Sequence, residues 1–221
     1  MKTLSVIGAG PVGLVSAVCF ASRAYDVVLC EKDAERSKLL EKGIPPFYEP
    51  GLDSLLKRAV NSGRLQVSAR AKEAVKNSET IFVAVGTRSK PDGGIDLTSI
   101  EVSCAEIGEA LREVGGYHLI AVRSTVIPGT TQDIVKPTIE NCSRKSAGRD
   151  FGLAMQPEFL REGSAIEDSY YPCRIVIGEY DKRSGNVLES LYREFYEEKI
   201  PPILRMNLAS AEMVKYASNA F

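Results

Sequence analysis

The sequence predicts an α/β fold, a doubly wound and mostly parallel sheet with helices on both faces. Three observations carry this reading. First, an apolar run (Leu4–Ile7) ends in Gly8-Ala9-Gly10-Pro11-Val12-Gly13, and an Ala/Val/Leu-rich helical stretch and a second apolar run (Val27–Cys30) follow, stopping at Glu31. Second, strand-like and helix-like stretches keep alternating along the 221 residues, which is the rhythm of repeated βα units. Third, Thr80–Val85 (TIFVAV) is almost wholly apolar, as a parallel strand covered on both faces must be.

Each part of the first unit has a physical task in holding a dinucleotide, and makes the expected sheet Rossmann-type. Gly8 permits the tight turn, Gly10 lets backbone approach a pyrophosphate, and Gly13 lets the helix pack closely on the strand. Pro11 suits the first helical turn, where its missing N–H costs nothing. The free N–H groups there, backed by the helix dipole, form an anion site. Glu31 stands 18 residues after Gly13, close to the roughly 20 at which a ribose-binding acid is expected. Its carboxylate accepts from the 2′-hydroxyl of NAD and repels the 2′-phosphate of NADP. Thr3–Ser22 carries no charge and could be read as a signal peptide or a membrane span. Three glycines and a proline interrupt it, however, and a good βαβ continuation follows.

Composition agrees with a globular domain. Apolar residues make up 44% and charged residues 26%, with a net charge of −1. That balance gives no basic face for nucleic acid and no anionic-membrane surface. The five cysteines (Cys19, Cys30, Cys104, Cys142, Cys173) are irregularly spaced without a CxxC, and His118 is the only histidine. This excludes a disulfide framework, predicts no metal site and fits a reducing cytoplasm.

In chain order, Asp33–Glu41 reads as a helix that starts on an acid and stops before Gly43. Arg36 lies near where an adenosine ribose would sit. The segment GIPPFYEPG (43–51) is a proline-rich loop, either connector or lid, and Leu52–Asn61 is an amphipathic helix. Arg64–Ser68 is a short strand and Ala71–Asn77 a short helix. The Gly86–Gly94 loop leaves the TIFVAV strand at its carboxyl end, the edge where ligands sit in such sheets. Leu97–Val114 is a helix and Tyr117–Val122 a strand ending in Arg123-Ser124-Thr125. Pro128–Thr131 opens another helix, and CSRKSAGRD (142–150) reads as an exposed loop. Phe151–Met155 is a strand that runs into Gln156–Gly163. If that segment turns helically, Glu158 and Glu162 share a face, suited to acid/base work, although Arg161 between them also allows a plain ion pair. Arg174–Gly178 is a strand, Gly185–Glu197 a helix, and Pro201–Leu204 a final edge strand. Asn207 caps the last helix, Leu208–Phe221, whose apolar stripe is Met213, Tyr216, Ala217 and Ala220. Lys215 and Asn219, at i and i+4, share a different face, and spacing alone reads them as solvated.

GAGPVG, PPFYEPGL, VGTRSKPDGGIDL, RSTVIPGTT, PEFLREGSAIEDSYYPCRIVIG and SAEMVKYASNAF occur in this order. Together they resemble the N-terminal half of the UDP-glucose/GDP-mannose dehydrogenase family, and the KYASNAF ending is most similar to the UDP-glucose branch. The resemblance implies an enzyme that oxidises the C6 alcohol of a nucleotide sugar to a carboxylate in two hydride transfers to NAD. It implies that Gly8, Gly10, Pro11, Val12, Gly13, Glu31, Arg36, Val85, Gly86, Thr87, Ser124 and Glu162 bind the cofactor. Thr125 would position a catalytic water, Glu158 would be the acid/base group, and Lys215 and Asn219 would stabilise the developing oxyanion. Glu158, Phe159, Leu160, Glu162, Lys215 and Asn219 would border the sugar. The resemblance also implies a cysteine nucleophile, a long central helix that makes a homodimer, and a C-terminal nucleotide-sugar domain.

None of the five cysteines occupies the nucleophile's place, so the chain reads as a piece of a longer dehydrogenase. Residues 1–205 would be the NAD-binding domain and 206–221 the start of the central helix. Pro11, Arg88, Gln156 and Cys173 depart from the residues usual in the family. Other readings stay open: a GDP-mannose or other nucleotide-sugar 6-dehydrogenase, a self-sufficient dehydrogenase of the wider 6-phosphogluconate-dehydrogenase-like group, and a non-catalytic NAD-binding module.

Overall fold

In the computed structural model, residues 3–220 are described, the last of them by its backbone alone. The first unit is strand β1 (Thr3–Ile7), helix α1 (Pro11–Ser22) and strand β2 (Asp26–Cys30). Helices α2 (Ala34–Glu41) and α3 (Leu52–Asn61) lead to β3 (Leu65–Ser68), and α4 (Ala71–Lys76) leads to β4 (Thr80–Val83). A small antiparallel hairpin, β5 (Arg88–Ser89) with β6 (Ile95–Asp96), follows, unforeseen in the loop that carries it. Then come α5 (Thr98–Glu113), β7 (Leu119–Val122), a π-helical turn (Thr131–Val135) continuing into α6 (Lys136–Ser143), and β8 (Gly152–Met155). The chain closes with α7 (Ala165–Tyr170), β9 (Ile175–Glu179), α8 (Lys182–Tyr196), β10 (Ile203–Asn207) and α9 (Leu208–Ala220).

The main sheet has the order β10-β9-β8-β7-β4-β1-β2-β3. Neighbours are parallel except β8 and β9, which run antiparallel and pair only at Ala154–Glu179 and Met155–Gly178. The sheet is therefore doubly wound and mostly parallel, as expected, with two strands reversed at one end. No periodicity distinguishes a reversed strand from its neighbours. β10 is the edge strand foreseen from its prolines, and Arg205 fastens it through Glu179 of β9 and Glu189 of α8.

Side chains alternate across the sheet. Leu4, Val6 and Phe82 point into one core with Leu14, Phe20, Leu56, Tyr192 and Phe195. Ile7, Ile81 and Val83 point into the other with Ile100, Ile107, Ile139, Phe151 and Ala211. Both faces are thus covered, and the strand ends meet on one rim, where the loops after β1, β4, β7 and β8 gather. Helix α9 packs on β8, β9 and the π-helical turn. It comes close because β9 carries Gly178, where a Cβ would stand 2.6 Å from the Cβ of Ala211.

Two expectations are corrected. Gln156–Gly163 is irregular and then a turn, not a helix. The carboxylate of Glu49 reaches in from the PPFYEPG loop to accept from the N–H groups of Gly163 and Ala165, both at 2.9 Å, and fixes that turn. The 142–150 segment is pinned rather than freely exposed, because Glu140 accepts from Ala147 N and Asp150 from Ser146 N. Asn207 does cap α9, accepting from Ser210 N at 2.8 Å. The foreseen helix end at Phe221 lies outside the described residues.

Candidate active site

The first component is the amino end of α1. Gly8 has φ +101°, and a Cβ there would stand 2.8 Å from the Ala84 carbonyl oxygen. A Cβ at Gly13 would overlap the carbonyl oxygen of Gly8. Strand–turn–helix packing therefore demands both glycines. Gly10 is different: a Cβ there meets no atom within 4 Å, and the same holds at Gly86. Gly10 is the N-cap of α1, supplies no side-chain cap, and is followed by Pro11. First-turn N–H groups lack carbonyl partners within a helix, so the positive end of α1 faces open space. A pyrophosphate matches this combination of donors, dipole and room.

A cleft of about 540 Å³ extends from this turn between Gly8, Gly10, Glu31, Arg36, Val85 and Gly86. Oε1 of Glu31 accepts from Asp33 N at 2.9 Å, which fixes the carboxylate at the end of β2. Asp33 itself caps α2 by accepting from Glu35 N and Arg36 N. Lys32 lines the same cleft and pairs with Glu106 at 2.7 Å on its exposed side.

A second, smaller cleft of about 150 Å³ continues past the helix end. Its walls bring together Gly10, Pro11, Val12, Val85, Gly86, Thr87, Ser124, Thr125 and Glu158. The loops are tied to each other: Ser124 Oγ donates to the Val85 carbonyl at 2.6 Å and Thr87 Oγ1 to the Thr125 carbonyl at 2.8 Å. Glu158 is buried, with Oε1 2.8 Å from Nζ of the equally buried Lys215. Its Oε2 accepts from Leu160 N at 2.6 Å. Phe159 lies between cations, with the Arg174 guanidinium 4.4 Å and Lys215 Nζ 5.8 Å from its ring centre. A buried carboxylate–ammonium pair thus stands where the strand ends meet, its carboxylate residue lining one cleft with Thr125.

The sequence reading of α9 is overturned. Its buried side chains are Leu208, Ala211, Glu212 and Lys215, whereas Met213 and Tyr216 are 52% and 44% exposed. The helix presents its small and charged face to β8 and β9, so Met213 and Tyr216 of the expected stripe face outward, Ala217 is half-buried, and the side chain of Ala220 lies outside the described residues. Lys215 is therefore not solvated. Asn219 is exposed one turn further on, and Glu162 is exposed in its turn and lines neither cofactor cleft. The structure does not bring Glu158 and Glu162 onto one face.

Several polar residues of this region were not singled out from the sequence. Arg123 is buried, stacks over Phe82 at 5.4 Å and donates to Tyr192 Oη at 2.9 Å. Tyr192 in turn donates to Gln156 Oε1 at 2.7 Å, and Gln156 Nε2 donates to the Pro157 carbonyl just before Glu158. Only the position of Gln156 at the end of a strand hinted at this chain. The cysteines stay outside the chemistry. Burial pushes the thiols of Cys19 and Cys30 up to about 11 and that of Cys104 to about 12, the reverse of nucleophile activation.

Among the described residues no helix is long and apolar enough to cross a membrane. Residues 2–196 match the NAD binding domain of the UDP-glucose/GDP-mannose dehydrogenase family. The chain is 44% identical over 218 residues to a GDP-mannose 6-dehydrogenase of Pseudomonas savastanoi pv. phaseolicola, covering 99% of this chain and 49% of that protein. It superposes on a ternary complex of GDP-mannose dehydrogenase from Pseudomonas aeruginosa with a TM-score of 0.94 at 44% identity, over 100% of this chain and 49% of that one. A UDP-glucose dehydrogenase from Pyrobaculum islandicum gives 0.92 at 43% identity, over 100% and 50%. The chain spans about half the length of the relatives it matches.

Proposed function

The chain belongs to the UDP-glucose/GDP-mannose dehydrogenase family, as its NAD-binding half, and from that premise we propose that it serves the oxidation of the C6 alcohol of UDP-glucose. The observation that carries this reading is the buried Glu158–Lys215 pair, whose carboxylate residue lines one cleft with Thr125 and the first turn of α1.

NAD, when bound, supplies the hydride acceptor. Gly8, Gly10 and Gly13 shape its pyrophosphate seat, and Glu31 takes the ribose hydroxyls. The two oxygens of Glu158 do different things: one is held by Leu160 N–H, the other by Lys215. Glu158 takes and returns protons at the C6 oxygen, while Lys215, and Asn219 one turn further on, stabilise negative charge on that oxygen. Thr125 orients the water that the second oxidation consumes. Burial strengthens the interaction between Glu158 and Lys215. Residues 206–221 would begin the central helix of a homodimer, and the nucleophilic cysteine would come from the half of the relatives' length that this chain does not span.

A second reading, GDP-mannose as substrate, is favoured by the 44% identities to GDP-mannose 6-dehydrogenases; the KYASNAF ending favours UDP-glucose. NADH absorbance decides between them, with the protein extended through the length of its relatives and offered each sugar nucleotide in turn. The expected result is two NADH per UDP-glucose, and no turnover by the 221-residue chain alone. Preference for GDP-mannose overturns the substrate, and failure with both overturns the dehydrogenase reading.

A further inference from the structure

We propose that Glu212 is the positioning residue that sets Lys215 against Glu158, by fastening the buried face of α9 to the turn that follows β7. The purpose of that placement rests on the reading above; the placement itself does not.

Glu212 is wholly buried. Its Oε2 accepts from Gly129 N at 2.6 Å, and its Oε1 accepts from Thr131 N at 2.7 Å and from Thr131 Oγ1 at 2.6 Å. A carboxylate withdrawn from water persists only where its oxygens are satisfied. Here neither oxygen is left without a donor, and none of these donors is a cationic side chain. The carboxylate also sits at the amino end of the helical run that begins with Thr131, where the dipole favours negative charge. The rare π-helical geometry of that run begins at the residue Glu212 grips twice.

On α9, Glu212 and Lys215 are three residues apart and share one face. The first holds the turn beyond β7, and the second reaches the carboxylate beyond β8 at 2.8 Å. One helix face thereby spans two strand ends, that of Thr125 and that of Glu158. The outward Met213 and Tyr216 cannot fix the rotation of the helix, and the Asn207 cap fixes only its start. Ala211, resting on Gly178 of β9, sets how close α9 comes to the sheet, whereas Glu212 ties its turning to the loop beyond β7 and so sets how far Lys215 extends.

Glutamine, although isosteric, cannot take over. The N–H groups of Gly129 and Thr131 require an acceptor on each side-chain oxygen, and a carboxamide would present its own N–H₂ to one of them. The test is competitive acetylation of the 221-residue chain, with each lysine followed by mass spectrometry. In Glu212→Gln, acetylation of Lys215 should rise roughly tenfold or more as its local protection is lost. Lys145, held by the Val114 carbonyl at the opposite rim of the sheet, should keep its parental rate. Thr131→Val removes the hydroxyl contact alone and should give a smaller rise with the same selectivity. Parental protection of Lys215 in Glu212→Gln overturns the proposal, and so does an equal rise at Lys145, which would mark general loosening. If Glu212→Gln does not fold, Thr131→Val decides by the same criterion. Because acetylation needs no turnover, an extended enzyme that oxidises no nucleotide sugar would sink the functional reading and leave this one standing.

Discussion

At the amino end of α1 the proposed cofactor seat is made from consecutive residues, Gly8 to Gly13, whereas the Glu158–Lys215 pair joins the exit of β8 to α9 across α7, β9, α8 and β10. The first region achieves its shape by lacking side chains at Gly8, Gly10 and Gly13. The second achieves its chemistry by burying opposite charges that must meet from distant parts of the chain. A local site of the first kind tolerates change wherever its atoms face open space. An assembled site of the second kind ties its chemistry to the stability of the fold.

Breaking the buried pair should have the largest effect on stability. Lys215→Met leaves Glu158 buried with only the Leu160 N–H, and should cost about 3–5 kcal/mol in urea unfolding. Adding Glu158→Gln removes the stranded charge and should recover at least about half of that loss. A single-variant cost below about 1 kcal/mol would show that the pair does not hold α9 in place.

The glycines sharpen the contrast. Gly13→Ala drives a methyl group into the Gly8 carbonyl and should cost about 1–3 kcal/mol or more. A Cβ at Gly10 meets no atom within 4 Å, so Gly10→Val should cost at most about 1 kcal/mol yet abolish NAD binding in calorimetric titration. Parental NAD affinity in Gly10→Val would remove this turn from the cofactor site.

The smallest effect is expected at Cys30, which lines the cofactor cleft. Its thiol titrates near 11 rather than 9.0 because it is buried, so thiolate is scarce at neutral pH and accumulates only as pH climbs towards 11. Iodoacetamide at neutral pH should modify the exposed Cys173, spare Cys30 and change NAD affinity less than about twofold. Approaching pH 11, Cys30 should become reactive and alkylation should begin to close the cleft. Alkylation of Cys30 at neutral pH, read by peptide mass spectrometry, would contradict this assignment.

The same contrast explains what could be read in the sequence. Gly8–Gly13, Glu31, the TIFVAV strand and the Asn207 cap are decided by neighbours a few residues away, and periodicity and spacing report such neighbours directly. The family's motifs named Glu158 and Lys215, but spacing alone turned Lys215 towards solvent. Met213 and Tyr216 suggested the wrong buried face because α9 lies against a sheet whose reversed strand β9 leaves room only for small and specifically paired side chains. Glu212, three residues before Lys215, looked like one more charge on a helix surface. Its partners Gly129 and Thr131 lie more than eighty residues earlier. The turn at Glu162 was likewise decided remotely, by Glu49.

Gly178 gives α9 a mechanical character. The helix rests on β9 where a missing side chain lets the Cβ of Ala211 come down onto the backbone, one residue before Glu212 and four before Lys215. That contact acts as a fulcrum, with the ammonium at the end of the arm. A methyl group at 178, touching neither cofactor nor sugar, would raise the fulcrum and swing Lys215 away from Glu158. Where a charged group comes to stand at the rim thus depends on a spacing inside the sheet, set by one missing side chain.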